Sequence, residues 1–175
     1  MSKAELDGPI LKSVSRSFYL SVRVLPAPLR APVGLAYLLA RASDTIADTA
    51  TLPIETRVAH LAAYGRMVAT GSVDGLRELQ QEIVPPHHGE QQLIARLPEC
   101  FDWLAAVPSA DRDEIRRVLA KIIHGQTLDL KRFPLSESGQ VTALQTAEEL
   151  EEYTYLVAGC VGEFWTRISF RHLPS

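Results

Sequence analysis

Two aspartates, Asp44 and Asp48, lie one helical turn apart in an otherwise apolar stretch, residues 37–48, which reads YLLARASDTIAD. With about 100° between successive helical residues, Tyr37, Arg41 and both aspartates fall on a stripe about 60° wide. Like charges at this spacing repel, and burial raises the cost unless a positive group lies between them. A Mg²⁺ ion, which prefers carboxylate oxygens and shares them with phosphate groups, would satisfy both. The stripe therefore predicts a metal site, and the plainer interpretation is a solvated face with an Arg41–Asp44 pair.

A second candidate is an anion site in residues 13–22, which read SVSRSFYLSV. Ser15, Arg16 and Ser17 stand where a helix could begin. Free backbone N–H groups, hydroxyls and a guanidinium at such a terminus bind anions. The plainer interpretation is that Ser15 caps the helix and Arg16 is solvated.

The third candidate lies at the end of a long helix predicted over residues 109–133. Its apolar stripe runs through Ile115, Val118, Leu119 and Ile122 and then reaches Gly125, Gln126 and Asp129. A buried glutamine and aspartate need partners. The sequence therefore predicts a polar site at this end of the core face, unless the helix simply emerges into water before Pro134.

The fourth candidate is the last predicted helix, in which residues 153–165 read YTYLVAGCVGEFW. One face is predicted to carry Tyr153, Val157, Cys160 and Phe164. Small residues stand beside that face: Ala158, Gly159 and Gly162. Each glycine inside a helix costs about 1 kcal/mol relative to alanine, so close helix packing or a cavity is expected here.

A fifth group, His87, His88 and Glu90, falls in a segment read as a proline-rich loop. No further pair of ligands has metal spacing, so these side chains are expected to be structural or solvated.

The elements that must position these residues are helices punctuated by prolines. No long strand-like alternation occurs, and Thr146 with Glu149 three residues later forms a capping-box pattern. The predicted helices cover about residues 11–24, 28–49, 53–70, 74–83, 90–105, 109–133 and 146–170. The first turn of the second helix is expected to contain Pro28 and Pro32. We therefore predict an all-α protein, with residues 1–175 forming a single helical domain.

Composition excludes several classes of protein. The chain has 175 residues, 46% of them hydrophobic and 22% charged, and a net charge of −3, so no basic surplus suggests a nucleic-acid partner. The longest apolar run, residues 31–40, is shorter than the roughly 20 residues of a membrane span. The N-terminus has no apolar core of a signal peptide, and Cys100 and Cys160 lack metal spacing. A cytoplasmic protein with reduced thiols is expected.

Four of these segments resemble, in order along the chain, the squalene/phytoene synthase family, the head-to-head branch of the isoprenyl diphosphate synthases. SRSF at 15–18 is similar to the family's N-terminal diphosphate-binding segment, and YLLARASDTIAD to its first aspartate-rich motif. GQTLDL at 125–130 is similar to its middle motif, and YTYLVAGCVG at 153–162 to its tyrosine-led signature. The resemblance implies a class I isoprenoid-synthase-like helical bundle around a central cavity.

The resemblance also implies roles for individual residues. Asp44 and Asp48 would hold Mg²⁺, and Arg41 would join them and Tyr153 in catalysis, with Tyr153 also guiding proton loss. The substrate-binding residues would be Ser15, Arg16, Ser17, Phe18, Tyr37, Arg41, Gln126, Asp129, Val157, Ala158 and Cys160. The last three would line an apolar tunnel for the prenyl tail, and aromatic faces would stabilise cations.

The implied reaction is head-to-head condensation of two prenyl diphosphates. Two farnesyl diphosphates giving presqualene diphosphate and squalene, with NADPH as reductant, is the favoured version. Phytoene, dehydrosqualene and hydroxysqualene-pathway products remain open alternatives, as does a non-catalytic relative that acts as a binding or assembly module. A class I terpene cyclase gains no support, because the chain has no asparagine for that family's metal triad. A peripheral membrane contact is expected for product release, and the oligomeric state is left open.

One departure from the family pattern is an absence. No DxxxD other than residues 44–48 occurs, although the family carries a second aspartate-rich motif after the tyrosine-led signature. The sequence is therefore expected to be an apparently truncated N-terminal portion of a longer protein. A chain of this length alone is expected to be inactive and aggregation-prone, or to recruit another chain.

Overall fold

The computed structural model describes residues 3–15, 17–133 and 143–173, and all regular structure in these ranges is helical. The elements are α1 (Lys3–Glu5), a first π turn (Leu6–Ile10), α2 (Leu11–Ser15), α3 (Phe18–Val24), α4 (Ala27–Asp48), α5 (Ile54–Thr70), α6 (Leu76–Glu82), α7 (His88–Ala95), α8 (Leu97–Ala106), α9 (Ser109–Arg132), α10 (Ala147–Thr154), a second π turn (Tyr155–Gly159) and α11 (Cys160–His172). The prediction of an all-α protein is confirmed.

Helix α4 lies at the centre of the bundle and carries the aspartate pair at its C-terminal end. It packs against α5, α7, α8, α9 and α11. Its buried face includes Leu35, Leu38, Leu39 and Ile46, none of them more than 1% exposed. Because neighbours cover α4 along most of its length, the position of its last turn is closely determined by packing.

Helix α9 is the second central element, packed against α4, α5 and α11. Ile115, Val118 and Leu119 are buried along it, as the apolar stripe predicted. At its N-terminal end the buried Asp111 accepts from Arg171 Nη1 at 3.1 Å and contacts His172 Nε2 at 2.9 Å. These ionic contacts fix the end of α11 against the start of α9.

Several predicted helix boundaries need correction. The single helix expected over 11–24 is two helices, α2 and α3, with Ser17 in a turn before the second. The helix expected over 90–105 is α7 and α8, and Pro98 lies in the first turn of α8 rather than inside a continuous helix. Pro32 lies in the second turn of α4, not the first. Prolines suit a first turn because its N–H groups have no intrahelical acceptor.

The predicted cap at Thr146 is confirmed with one difference in the reciprocal bond. Thr146 Oγ1 accepts from the backbone N–H of Glu149 at 3.2 Å. The Glu149 carboxylate accepts from the backbone N–H of Gln145 at 2.7 Å, one residue before the position that a capping box uses.

The chain runs without interruption from α10 through the second π turn into α11. The π turn approaches α9 closely at Gly125, where a Cβ would lie 2.9 Å from Leu156 Cβ. Glycine at this position therefore allows the two helical segments to meet. Within the described part of the chain, no helix is both long enough and apolar enough to cross a membrane.

Candidate functional site

A cavity of about 360 Å³ opens between the C-terminal ends of α4 and α9, the start of α5, and the segment from α10 into the second π turn. Three carboxylates and one guanidinium line it together with mainly apolar and aromatic side chains. The lining residues are Asp44, Ala47, Asp48, Ile54, Arg57, Ile122, Gly125, Gln126, Asp129, Leu130, Phe133, Tyr153, Leu156 and Val157. The sequence prediction that the polar end of α9 and the aspartates of α4 form one site is consistent with this lining.

Asp44 and Gln126 join α4 to α9 across the cavity. Gln126 Nε2 donates to Asp44 Oδ1 at 2.5 Å, while Gln126 Oε1 is buried without a hydrogen-bond partner among the described residues. Burial raises the pKa of Asp44 to about 6, against the lowering effects of the Gln126 hydrogen bond and of Arg41. Asp44 therefore takes up a proton about two pH units higher than an exposed aspartate does, and it is mainly ionised above pH 6.

Asp48 is the last residue of α4, and the positive charge of Arg57 acts on its carboxylate. Arg57 is only 6% exposed and its Nη1 donates to the backbone carbonyl of Ala47 at 2.8 Å. Desolvation raises the pKa of Asp48, whereas the charges of Arg41 and Arg57 act in the opposite direction. Arg57 is the one cation among the lining residues that the structure describes. It both caps the last turn of α4 and partly balances its carboxylates.

Tyr153 and Phe133 form the aromatic wall opposite the aspartate pair. Their ring centroids are 6.0 Å apart and their planes meet at 79°, an edge-to-face arrangement. The nearby carboxylate of Asp129 raises the pKa of the Tyr153 hydroxyl, with a smaller contribution from burial. Tyr153 is thus a protonated hydroxyl beside a carboxylate, at the edge of an apolar wall.

Arg41 does not line the cavity, contrary to the prediction that it faces the same cavity as Asp44 and Asp48. Its Nη2 pairs with Glu90 Oε1 on α7, and its Nη1 lies 3.9 Å from Asp44 Oδ2. The expectation that the segment at His87, His88 and Glu90 is a loop was also wrong, since α7 begins at His88. Glu90 is the residue of this group that takes part in the electrostatics of the site, because its charge also acts on Asp44 and Asp48.

The N-terminal serine segment lies outside the cavity lining. Ser15 is buried and donates to the Leu11 carbonyl at 2.5 Å, and Ser17 is exposed at the start of α3. Phe18 stacks on Tyr37 with centroids 4.6 Å apart, and the Tyr37 hydroxyl donates to the Val14 carbonyl at 3.2 Å. Tyr37 therefore braces α2 and α3 against α4 rather than lining the cavity. Arg16, also predicted to bind substrate, lies outside the described residues.

The predicted stripe on the last helix is divided by the second π turn. Tyr153 and Val157 line the cavity, but Cys160 is 1% exposed, donates to the Leu156 carbonyl at 3.2 Å, and lies outside the lining. Ala158 is exposed and also outside the lining. The π turn adds a residue to one turn and so rotates the preceding segment relative to the following one.

The sequence analysis missed two notable lining residues, Arg57 and Phe133, and only Arg57 carried a sequence signal. Arg57 stands at i, i+4 and i+7 with Leu61 and Tyr64, both fully buried, so its helical position already pointed inward. Phe133 is the first residue after α9 and completes the aromatic wall.

The chemistry of the donor set fits a hard divalent cation at Asp44 and Asp48, since both offer carboxylate oxygens one helical turn apart. Within residues 3–15, 17–133 and 143–173 no three acidic, histidine or cysteine side chains form a metal cluster. Water and a ligand's own oxygens would therefore have to supply the remaining coordination positions.

Comparisons with known proteins agree on one family. The family model described as "Squalene/phytoene synthase" matches residues 11–175. The chain is 27% identical over 158 residues to the "Probable squalene synthase" of Neurospora crassa, spanning 90% of this chain and 31% of that protein. It is 26% identical over 174 residues to the "Bifunctional lycopene cyclase/phytoene synthase" of Sporisorium reilianum, spanning 91% of this chain and 24% of that protein.

A relative in Arabidopsis thaliana, "Inactive squalene synthase 2", is 40% identical over 156 residues, spanning 87% of this chain and 33% of that protein. The solved "complex structure of TcSQS with ligand" superposes with a TM-score of 0.73 at 22% identity, covering 93% of this chain and 43% of that chain. This likeness supports the helical fold. The chain thus spans between a quarter and a third of the length of the curated relatives compared here.

Proposed function

The chain belongs to the squalene/phytoene synthase family, and from that membership we propose that its cavity takes part in head-to-head condensation of two prenyl diphosphates. The observation that carries the proposal is that α4 and α9 contribute polar side chains to the same cavity. Asp44 and Asp48 on α4 face Gln126 and Asp129 on α9 across the cavity, and Tyr153 closes its aromatic side. A cavity that combines carboxylates with aliphatic and aromatic surface suits a diphosphate, bound through a cation, that is joined to a hydrocarbon tail.

Asp44 and Asp48 are proposed to hold Mg²⁺. When bound, the ion would neutralise the charge of a departing diphosphate and so help an allylic diphosphate to ionise. The remaining steps depend on the chain's own residues, which hold the carboxylates in place and shield the reacting carbons from water.

Gln126 keeps Asp44 ready for a cation. Its amide donates to one carboxylate oxygen, which favours the ionised form of a group whose pKa burial raises to about 6. Above that pH the carboxylate is mainly charged, so a cation can bind without first displacing a proton. The same hydrogen bond fixes which oxygen remains available.

Arg41 and Arg57 provide positive charge on either side of the aspartate pair. Arg41 pairs with Glu90 and lies beside Asp44, while Arg57 is anchored to the Ala47 carbonyl. Both guanidiniums are fixed by existing contacts, and preorganised charge stabilises a developing anion without rearranging at the moment of reaction.

The apolar wall is proposed to hold the prenyl tails and the carbocation. Ile122, Leu130 and Leu156 offer hydrocarbon surface, and the aromatic rings of Phe133 and Tyr153 can stabilise positive charge. The second prenyl double bond would attack the allylic cation, and loss of a proton would close a cyclopropane ring. The Tyr153 hydroxyl, which lines the cavity beside the Asp129 carboxylate, is proposed to direct that proton.

For the product we favour presqualene diphosphate and then squalene, with hydride from NADPH, over phytoene, dehydrosqualene or a hydroxysqualene precursor. Relatives of this protein bear the names of both squalene synthases and phytoene synthases, so the length of the prenyl group in the substrate is what the test has to decide. The test incubates the purified full-length protein with farnesyl or geranylgeranyl diphosphate, with and without Mg²⁺ and NADPH, and identifies products by mass spectrometry. A C30 product from farnesyl diphosphate supports the proposal, and a C40 product from geranylgeranyl diphosphate would support the phytoene alternative.

A non-catalytic binding function is the second candidate, because the relative that is 40% identical is named "Inactive squalene synthase 2". The presence of Asp44, Asp48 and Tyr153 in one cavity favours catalysis. Tight binding of a non-hydrolysable prenyl thiodiphosphate without turnover of the natural diphosphates would favour the binding function instead.

A further inference from the structure

Three polar side chains outside the cavity connect α9, the second π turn and α11. Lys121 Nζ donates to the Tyr155 hydroxyl and, at 2.9 Å, to Glu163 Oε2. The Tyr155 hydroxyl donates to the same carboxylate oxygen at 3.0 Å. Lys121 Nζ also lies 4.7 Å from the centroid of the Tyr155 ring. We call these three residues the π-turn brace.

The brace acts on a segment that close packing already confines. On one side of the π turn, Leu156 presses against Gly125 of α9, where a Cβ would be 2.9 Å away. On the other, the Tyr155 ring lies over Gly159, where a Cβ would meet Cδ2 at 3.0 Å. A side chain would therefore crowd the turn at two positions: Gly125, which faces the turn from α9, and Gly159, the last residue of the turn.

π turns are rare, occur mostly as single turns inside α-helices and are frequent at functional sites, so the contacts that surround this one bear on the site beside it. Returning this turn to α geometry would change the register between α10 and α11 by one residue, about 100° of rotation. Helix α11 is packed on α9, and its residues Phe164 and Ile168 are buried. The rotation would therefore displace α10 rather than α11. Tyr153 would then leave its place beside Asp129 and Phe133.

We propose that Lys121, Tyr155 and Glu163 are positioning residues that hold the second π turn and thereby keep Tyr153 and Val157 in the cavity wall. None of the three brace residues is among the cavity-lining residues, and the segment that they hold contributes Leu156 and Val157 to the lining but neither aspartate. The brace therefore acts on the wall proposed to hold the tail rather than on the diphosphate end. Its role in prenyl binding depends on the proposed function above, whereas its effect on Tyr153 does not.

The first test measures the position of Tyr153 without any ligand. The protein has five tyrosines, so labelling with 3-fluorotyrosine gives a small set of ¹⁹F NMR signals, and the Tyr153→Phe variant assigns the one of interest. Glu163→Gln is compared with Glu5→Gln, a matched control that breaks the partly exposed Glu5–Arg96 pair, neither member of which belongs to α9, α10, the second π turn or α11. We expect Glu163→Gln to shift or broaden the Tyr153 signal and to speed amide exchange at residues 155–160, and Glu5→Gln to do neither.

An unchanged Tyr153 signal and unchanged exchange in Glu163→Gln would overturn the proposal, as would equal changes in both variants. The double exchange Lys121→Glu with Glu163→Lys provides a further control. If the charge pair holds the turn, the double variant restores much of the signal that Glu163→Gln loses.

The second test measures binding to each part of the ligand by calorimetry. We expect Glu163→Gln to weaken farnesyl thiodiphosphate binding about fivefold, the effect of losing one partly exposed charged contact, and to leave inorganic pyrophosphate binding unchanged. Equal weakening of both ligands, or of neither, would contradict the claim that the brace sets the tail wall. If the unaltered protein binds neither ligand, the proposed function fails, while the NMR result still decides whether the brace positions Tyr153.

Discussion

Replacing Gly125 by alanine tests whether the close approach of α9 to the second π turn builds the cavity wall. Gly125 is buried on α9, and the added Cβ would lie 2.9 Å from Leu156 Cβ and 3.5 Å from its carbonyl carbon. The nearer distance is shorter than two carbon atoms tolerate. Because part of the obstacle is backbone, the π turn as a whole would have to move.

Two effects of opposite sign determine the change in stability. Alanine stabilises a helix interior by about 1 kcal/mol relative to glycine, whereas overpacking a core typically costs about 1–3 kcal/mol. We therefore expect Gly125→Ala to lower the free energy of unfolding by up to about 2 kcal/mol. We also expect weaker binding of prenyl ligands, since Leu156 lines the cavity.

Gly65→Ala in α5 is the matched control. A Cβ at Gly65 would lie 3.7 Å from the nearest side-chain atom, Ile123 Cγ2, an ordinary van der Waals contact. Here only the helix-propensity gain of about 0.5–1 kcal/mol remains, so this variant should be more stable than the unaltered protein. Urea unfolding followed by circular dichroism measures both variants. If Gly125→Ala proves as stable as Gly65→Ala, the close contact between α9 and the π turn does not exist in solution.

Three further predictions concern the cavity itself. Burial raises the pKa of Asp44 to about 6, so the folded state keeps a proton that the unfolded state loses, and stability falls as pH rises from 4 to 7. Asp44→Asn should reduce that slope, leaving the smaller part that comes from Asp48, whose pKa burial also raises. Since the Asp44 side chain is 45% exposed, the variant should gain only about 1 kcal/mol at pH 7 in urea titrations. Tyr153→Phe should slow product formation about 100-fold in steady-state assays while changing pyrophosphate affinity less than twofold. Arg57→Met should lower stability by about 3 kcal/mol in thermal unfolding, and Arg57→Lys by less, because the buried guanidinium caps Ala47.

Each of these three has a clear contrary result. Parallel pH profiles for the unaltered protein and Asp44→Asn would show that Asp44 is not desolvated. Unchanged turnover in Tyr153→Phe would show that Tyr153 contributes only to packing. A melting temperature for Arg57→Met equal to that of the unaltered protein would show that the last turn of α4 needs no cap.

Periodicity alone predicted the elements that carry the cavity. The bounds of α4 were predicted to within one residue because prolines stand near its start, and its polar stripe stood out because the rest of the helix is mostly buried. The same holds for α9, where Gln126 and Asp129 continue a stripe that Ile115 and Leu119 begin. In both cases a local pattern with a 3.6-residue period is enough to specify which way a side chain faces.

Contacts between segments that are distant along the chain could not be predicted from the sequence. Arg41 was assigned to the diphosphate, but its guanidinium pairs with Glu90, a residue 49 positions later that approaches only because α7 packs on α4. A charge on one helix does not reveal which of several carboxylates the fold will bring to it.

The second π turn was hidden for a different reason. Tyr153, Cys160 and Phe164 have ideal α-helical spacing, so the sequence predicts one shared face. The extra residue in the turn places Tyr153 at the cavity and Cys160 in the core. A π turn depends on tertiary contacts, here those of Gly125 and Lys121, which a helical pattern does not encode.

A cation-dependent diphosphate site at Asp44 and Asp48 can be detected by pyrophosphate binding in the presence of Mn²⁺, followed by electron paramagnetic resonance of the ion. The double variant Asp44→Asn with Asp48→Asn is compared with Asp102→Asn with Asp113→Asn, which removes two exposed carboxylates far from the cavity lining. We predict that the unaltered protein and the control bind Mn²⁺ and pyrophosphate together, and that the cavity variant loses this binding while remaining folded. Equal binding by all three proteins would show that Asp44 and Asp48 do not form the cation-dependent diphosphate site.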